Sequence, residues 1–105
     1  MNKSYDNNNI FAKILRSEIP CQKVLENDHT LAFSDINPQS PIHILIIPKK
    51  AYLNFHDFTE NASIKEIELL WKLVSEVIKL KKISKKGFRI ISNSGVDGNQ
   101  DVPHF

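Results

Sequence analysis

The feature that most constrains this fold is a short apolar run between two prolines. Residues 42–47 are Ile-His-Ile-Leu-Ile-Ile, with Pro41 before them and Pro48 after them. A run of this length that is almost entirely apolar predicts an interior strand, covered on both faces. Such a strand needs partner strands at its edges and helices against its faces. The run therefore predicts a layered domain built around residues 42–47.

Two helices are predicted on either side of this strand. Asn9 can cap a short helix over residues 10–17, where Pro20 prevents any continuation. Ser63 and Glu66 form a capping box that opens a long amphipathic helix. Its apolar stripe, with a period of 3.6 residues, consists of Ile64, Ile67, Leu70, Trp71, Val74, Val77 and Ile78. The stripe predicts that Trp71 lies in the core or in a dimer interface.

Further strand patterns complete the predicted sheet. Residues 22–26 and 29–34 are two short strand patterns separated by the turn pair Asn27-Asp28. Residues 88–93 form another, and Val102 and Phe105 indicate the start of one more. Together with residues 42–47, these patterns predict an α+β fold: an antiparallel sheet of about five strands with one long and one short helix.

Length and composition indicate one ordinary domain. The chain has 105 residues, of which 41% are hydrophobic and 25% charged. Residues 1–9 are polar and are predicted to form a disordered tail, and residues 10–105 form the domain. A net charge of +2 predicts no affinity for nucleic acid or membranes. The single cysteine, Cys21, excludes an internal disulfide and a cysteine-built zinc site, and favours a reducing, cytoplasmic location.

The last thirteen residues carry the pattern best suited to chemistry. Gly95 and Gly98 lie in a loop between two predicted strands, and His104 is the last polar residue. A loop and strand of this kind can present backbone N–H groups and an imidazole to one anion, although a purely structural hairpin has the same pattern. His43, inside the apolar run, must find a hydrogen-bond partner. Its spacing fits a satisfied core histidine as well as a site histidine.

Three segments resemble the histidine triad (HIT) family. Residues 35–49, DINPQSPIHILIIPK, resemble its central segment. Residues 93–105 resemble the approach to its signature, His-x-His-x-His followed by apolar residues, and stop after the first His-x. Residues 9–14, with Ile19-Pro20 behind them, are similar to its opening. The resemblance runs in the same order from Ile10 to Phe105.

The resemblance implies a role for each matching residue. His104 corresponds to the first histidine of the signature, and His43 to an additional histidine that lines the site. Asp35 corresponds to the acidic residue that binds the ribose hydroxyls, and Asn93 to a residue that binds the phosphate region. Asp101 stands where a hydroxyl residue is common, so only its backbone N–H is given a role. The implied apolar walls around the base are Ile10, Phe11, Phe33 and Ile36.

The implied activity is hydrolysis of purine nucleoside phosphoramidates, or of related nucleotidyl substrates, through a nucleotidyl-histidine intermediate. The ligand is then a purine nucleoside monophosphate or phosphoramidate, bound without a cofactor or metal by a homodimer. The nucleophile is expected just after Phe105, so residues 1–105 alone are predicted to be inactive. One alternative is a nucleotide-binding module without turnover. A second is a small dimeric interaction domain outside the family.

Overall fold

Three antiparallel strands and three helices form the fold in the computed structural model, which describes residues 5–105. In chain order they are α1 (Ile10–Leu15), β1 (Lys23–Glu26), β2 (Thr30–Ser34), β3 (Ile44–Pro48), α2 (Phe55–Asn61) and α3 (Ile64–Lys81). The strands lie in the order β1-β2-β3, and both neighbouring pairs are antiparallel. The predicted α+β class is confirmed. Helix α2 was not predicted as an element, because residues 51–58 show only weak helical character.

The two faces of the sheet have different partners. In β2, Leu31 and Phe33 face one side and pack with Ile47 of β3 against residues of α1. Ala32, between them, faces the other side and packs with Leu73 of α3. The strict alternation of side chains along a strand produces this division. We call the first of these surfaces the α1-side face.

Helix α3 begins and ends as its sequence predicts, but its buried face is rotated from the predicted stripe. The Ser63–Glu66 capping box forms, and Lys82 ends the helix in the left-handed conformation at φ 56°. The buried side chains of α3 are Glu66, Leu70, Leu73 and Val77. Leu73, absent from the stripe, has no exposed surface, whereas Trp71 is 45% exposed and is not a core residue. The buried face of α3 therefore includes the capping-box Glu66.

The strand count differs from the prediction. Residues 5–105 contain three strands, not about five. Residues 88–93 and 102–105 pair with no strand in that part of the chain, so neither forms a ladder. Apolar side chains in the first of these segments are therefore exposed: Phe88 by 47%, Ile90 by 59% and Ile91 by 64%. A strand pattern indicates only that a segment can join a sheet. The segment forms a ladder only where a partner strand is present.

The start of the described chain is folded against the domain. Residues 1–4 of the predicted disordered tail lie outside the described residues. Residues 5–9 instead form a turn that leads into α1, and Asn9 caps the helix with its side chain 2.8 Å from the backbone nitrogen of Ala12. Asn9 is 6% exposed, because its cap is packed under the turn. No helix within residues 5–105 is both long and apolar enough to cross a membrane.

Candidate functional site

His104 forms one end of the candidate site, buried between the N-terminal turn and the end of β3. The residue is 3% exposed. Its Nε2 lies 2.8 Å from the carbonyl oxygen of Pro48, and its Nδ1 is hydrogen-bonded to the hydroxyl group of Tyr5. Burial lowers the pKa of His104, although the hydrogen bond to the Pro48 carbonyl opposes the shift. The imidazole is therefore neutral at pH 7, with both nitrogens engaged.

Asp35 and His43 form the other end of the site. The Nε2 of His43 lies 3.4 Å from Oδ2 of Asp35, and the backbone N–H of Gln39 donates to His43 Nδ1 over 3.0 Å. Because Nδ1 accepts this hydrogen bond, Nε2 of the neutral ring carries the proton and points it at the carboxylate. The two residues are also joined through the backbone, since the Asp35 N–H donates to the His43 carbonyl over 3.0 Å. A cleft of about 150 Å³ beside the pair is also lined by Lys81.

Aromatic side chains fill the surface between the two ends. Phe33 is buried in β2 and pairs across the sheet with Leu45. Phe11 of α1 meets the Phe33 ring edge to face, with centroids 5.8 Å apart. Its ring also lies 6.1 Å from the imidazole of His104. Phe11 thus connects His104 to the apolar middle of the α1-side face.

The two ends lie on the same face but at opposite ends of β3. His104 sits beside Pro48, the last residue of the strand, whereas His43 directly precedes Ile44, its first residue. Five residue steps of extended chain separate Pro48 from His43, which is about 17 Å. The predicted site residues therefore form two polar groups with an aromatic surface between them.

The other predicted site residues are exposed. Ile36 is 81% exposed in the loop after β2, and Ile10 is 41% exposed at the start of α1. Asn93 and Asp101 are exposed in the C-terminal loop. The amide of Asn93 donates to the carbonyl of Gly98 over 2.6 Å and so shapes its own loop.

Gln100 organises the C-terminal loop, a role that sequence reasoning missed. Its Nε2 donates to the carbonyl oxygens of Leu53, over 2.7 Å, and Val102, over 2.9 Å. Its Oε1 accepts from the N–H of Gly95 over 3.0 Å. The loop is thereby attached to the segment that follows β3. A glutamine between two loop patterns gives no sequence signal for a bond that reaches back 47 residues.

Phe105, the last described residue, packs against the core. Its backbone N–H donates to the carbonyl of Tyr52 over 2.9 Å. Its ring lies 4.9 Å from that of Phe58 and 5.6 Å from that of Phe55. His104 is therefore held on both sides along the chain, by Gln100 before it and by Phe105 after it.

The described residues supply acids, imidazoles and apolar surface rather than a metal centre. Within residues 5–105, no three His, Cys, Asp or Glu side chains are grouped so that they could hold a metal ion. The α1-side face presents the partly exposed carboxylate of Asp35 and imidazole of His43 at one end, while the His104 imidazole is enclosed at the other end. Such a surface can hold a ligand that has hydroxyl groups, an aromatic ring and an anionic group.

Comparisons with known proteins agree on one family. A family model for the HIT domain matches residues 16–105. An uncharacterized HIT-like protein of Azospirillum brasilense is 56% identical over 105 residues, which cover all of this chain and 86% of the relative. The solved structure of a HIT family hydrolase from Clostridium thermocellum is 33% identical with a TM-score of 0.78, covering 92% of this chain and 84% of that one. A histidine triad nucleotide-binding protein from Candida albicans is 30% identical with a TM-score of 0.82, covering 92% and 69%.

The family model covers most of the chain, and the structural neighbours share its sheet and helices as well as its sequence. The alternative of an interaction domain outside the family is thereby excluded. This chain belongs to the histidine triad (HIT) family.

Proposed function

We propose that this protein binds a purine nucleoside monophosphate on the α1-side face of the sheet and acts in the hydrolase branch of its family. The observation that carries the proposal is the Asp35–His43 pair, which lies at one end of a surface that continues through Phe11 and Phe33 to His104. Two solved relatives support it, since one is described as a nucleotide-binding protein and the other as a hydrolase.

Each part of a nucleotide has a chemically suited partner in the proposal. The carboxylate of Asp35 already accepts the N–H of Asn37 at Oδ1 over 2.9 Å, and a carboxylate retains further acceptor positions for ribose hydroxyls. The partly exposed Phe11, with the more exposed Ile10 and Ile36, supplies apolar surface for the base, and the buried Phe33 supports the Phe11 ring. We assign the phosphate to the side-chain amide of Asn93 and to the backbone N–H of Asp101.

The proposed reaction is cleavage of a nucleoside phosphoramidate. A neutral histidine forms a bond to phosphorus, the phosphorus–nitrogen bond breaks, and the amine leaves with a proton. Water then attacks the nucleotidyl-histidine and releases the monophosphate and the histidine. Neither His104 nor His43 is assigned the attack, because both nitrogens of each ring are already engaged.

One observation favours nucleotide binding without turnover by residues 1–105. Both nitrogens of His104 are engaged, by Pro48 and by Tyr5, so the ring has no free lone pair to attack phosphorus. His43 carries its proton on the nitrogen that faces Asp35, and its other nitrogen accepts from Gln39. Neither histidine is placed as a nucleophile. For this part of the chain we propose ligand binding alone.

We also propose that the protein is a homodimer that uses the exposed side of α3. Trp71 is 45% exposed, and Ile64, two turns before it on the same side of the helix, is 86% exposed. Large apolar residues at such positions mark surfaces that a partner covers. A second copy of the chain is the partner that the family resemblance implies.

The substitution Asp35→Ala tests the ligand assignment by calorimetric titration with AMP and 2′-deoxy-AMP. A hydrogen bond to a charged group contributes about 1.5–3 kcal/mol, so we expect AMP affinity to fall by roughly tenfold or more. The affinity for the deoxynucleotide should fall less, because it has one hydroxyl group fewer.

Asp28→Ala is the matched control, because it removes an exposed carboxylate from the turn between β1 and β2. This variant should bind both nucleotides as the unmodified protein does. Equal weakening of AMP and deoxy-AMP by Asp35→Ala would show that Asp35 does not contact the ribose. Absence of AMP binding by the unmodified protein would reject the proposed ligand itself.

A further inference from the structure

The N-terminal turn has a built anchor that sets the position of Tyr5. The buried amide of Asn9 donates through Nδ2 to the carbonyl of Asp6 over 2.7 Å, while its Oδ1 accepts the N–H of Ala12. The backbone N–H of Asn9 lies 3.2 Å from the same Asp6 carbonyl. The side chain of Asp6 accepts the N–H of Asn8 over 2.9 Å. Asn9 therefore caps α1 and fixes the preceding turn at the same time.

This turn brings Tyr5 onto His104, 99 residues away in the chain. The Tyr5 hydroxyl is hydrogen-bonded to Nδ1 of the imidazole, and the two rings meet edge to face with centroids 5.5 Å apart. Phe11 meets the same imidazole from α1. The histidine is thus enclosed by Tyr5, Phe11 and the end of β3.

The hydrogen-bond partners define the protonation state of the ring. The carbonyl of Pro48 can only accept, so the neutral imidazole carries its proton on Nε2. Nδ1 is then an acceptor, and the Tyr5 hydroxyl must donate to it. Burial raises the pKa of Tyr5, although a hydrogen bond from Asn9 and the charge of Arg16 oppose the shift, so the hydroxyl keeps its proton at neutral pH. Asp6 and Arg16, of opposite sign, are the charged groups that act on it.

We infer that Tyr5 is a positioning residue for the site: it supplies the donor that Nδ1 of His104 requires, and it locks the ring in one orientation. Pro48 alone fixes the proton on Nε2, and Tyr5 prevents the ring from turning over. The role of the locked ring in nucleotide chemistry rests on the proposed function, whereas the lock itself does not. Tyr5 lies before residue 16, where the match to the family model begins.

The decisive measurement is the nitrogen NMR spectrum of the His104 imidazole in the ¹⁵N-labelled chain. In the unmodified protein we expect an Nε2-protonated ring whose Nδ1 resonance is that of a hydrogen-bonded acceptor. Tyr5→Phe keeps the aromatic ring and removes only the hydroxyl. Its Nδ1 resonance should move toward the value of an acceptor without a donor, while Nε2, still bonded to Pro48, should move much less.

Two controls separate this effect from a general loss of packing. Tyr52→Phe removes the chain's other tyrosine hydroxyl, which is bonded to Glu66 and not to His104. It should leave the His104 nitrogens unchanged. Asn9→Ala should reproduce the Nδ1 change because it releases the turn, whereas Asn8→Ala, at an exposed position, should not. A melting temperature lower by about 4–8 °C is expected for Tyr5→Phe, as for the loss of one buried hydrogen bond.

An unchanged Nδ1 resonance in folded Tyr5→Phe would overturn the inference. If that variant does not fold, the unmodified protein still decides the question: the Tyr5 Cζ resonance must follow the titration of His104, and a Cζ resonance that ignores it would also overturn the inference. AMP binding is measured in a separate titration, independent of the Nδ1 resonance. Failure of AMP to bind would reject the proposed function while the Nδ1 response continued to support the role of Tyr5.

Discussion

Replacing Tyr52 with phenylalanine tests the contact that joins the end of β3 to the start of α3. The Tyr52 hydroxyl donates to Oε2 of Glu66 over 2.8 Å, and both residues are buried, with exposures of 4% and 8%. The other oxygen of Glu66 accepts the N–H of Ser63 over 3.0 Å in the capping box. Phenylalanine retains the edge-to-face contact with Phe58 and removes only the hydroxyl.

The size of the stability loss expected for Tyr52→Phe follows from the charge on Glu66, which accepts the hydrogen bond. Burial raises the pKa of Glu66, but hydrogen bonds from Ser63 and Tyr52 outweigh it, so the pKa lies below its usual value and the group is a carboxylate at pH 7. A hydrogen bond to a charged group contributes about 1.5–3 kcal/mol, and the carboxylate keeps its other donor in the variant. We therefore expect Tyr52→Phe to lower the free energy of unfolding by roughly 2 kcal/mol, with a fall in Tm on the order of 10 °C.

The effect of Tyr52→Phe should depend on pH in two windows. Because folding lowers the pKa of Glu66, its contribution is present above pH 4.5 and is lost as the pH falls through the folded pKa, so the difference between the two proteins should shrink there. Burial and the Glu66 carboxylate raise the pKa of Tyr52 from 10.0 to about 12. A raised pKa stabilises the fold below pH 10 and loses that effect as the pH rises toward 12. The stability of Tyr52→Phe should show no such contribution from residue 52, because phenylalanine does not ionise.

Urea unfolding of a double-mutant cycle provides the assay. Tyr52→Phe, Glu66→Gln and the double variant are compared at pH 7, since glutamine keeps an acceptor for Ser63 but has no charge. A coupling free energy of about 1 kcal/mol or more is expected between the two positions. Additive effects, or a loss below about 0.5 kcal/mol in Tyr52→Phe alone, would refute the argument that this bond is charge-assisted and buried.

Two further predictions concern α3. Leu73→Ala should lower the free energy of unfolding by about 2–5 kcal/mol, because Leu73 is fully buried, while Glu76→Ala at an exposed position of the same helix should change it by less than about 0.5 kcal/mol; similar losses in urea unfolding would contradict the observed helix face. Light scattering at micromolar concentration should report a dimer for the unmodified chain and a monomer for Trp71→Glu, and a monomeric unmodified chain would reject the proposed interface.

The fold could be predicted from sequence wherever local patterns determine the outcome. The alternation in β2 placed Leu31 and Phe33 opposite Ala32, and the same reasoning placed Leu45 and Ile47 opposite Ile44 and Ile46. The capping box at Ser63 also formed as predicted. The rotation of α3 could not be predicted, because apolar spacing counted Trp71 and omitted Leu73. The burial of Glu66 depends on Tyr52, which the helix pattern does not contain.

The candidate site was predictable in part for the same reason. Asp35 directly follows β2 and His43 directly precedes β3, so the antiparallel pairing of these strands brings the two residues together. The contact between Tyr5 and His104 joins the two ends of the described chain, and no pattern in either segment indicates it. Gln100 was missed because its partner Leu53 follows β3 and is recognised by its backbone alone.

The exposed segment around residues 88–91 has a consequence for how copies of this chain behave in solution. Phe88, Ile90 and Ile91 are open to solvent in an extended segment without a strand partner in the described chain, which is the kind of window from which ordered aggregates grow. The positive charges of Lys86 and Arg89 beside them oppose aggregation, because these segments in two copies of the chain repel each other. Salt screens this repulsion, so concentrated samples should stay dispersed longest in buffers of low ionic strength.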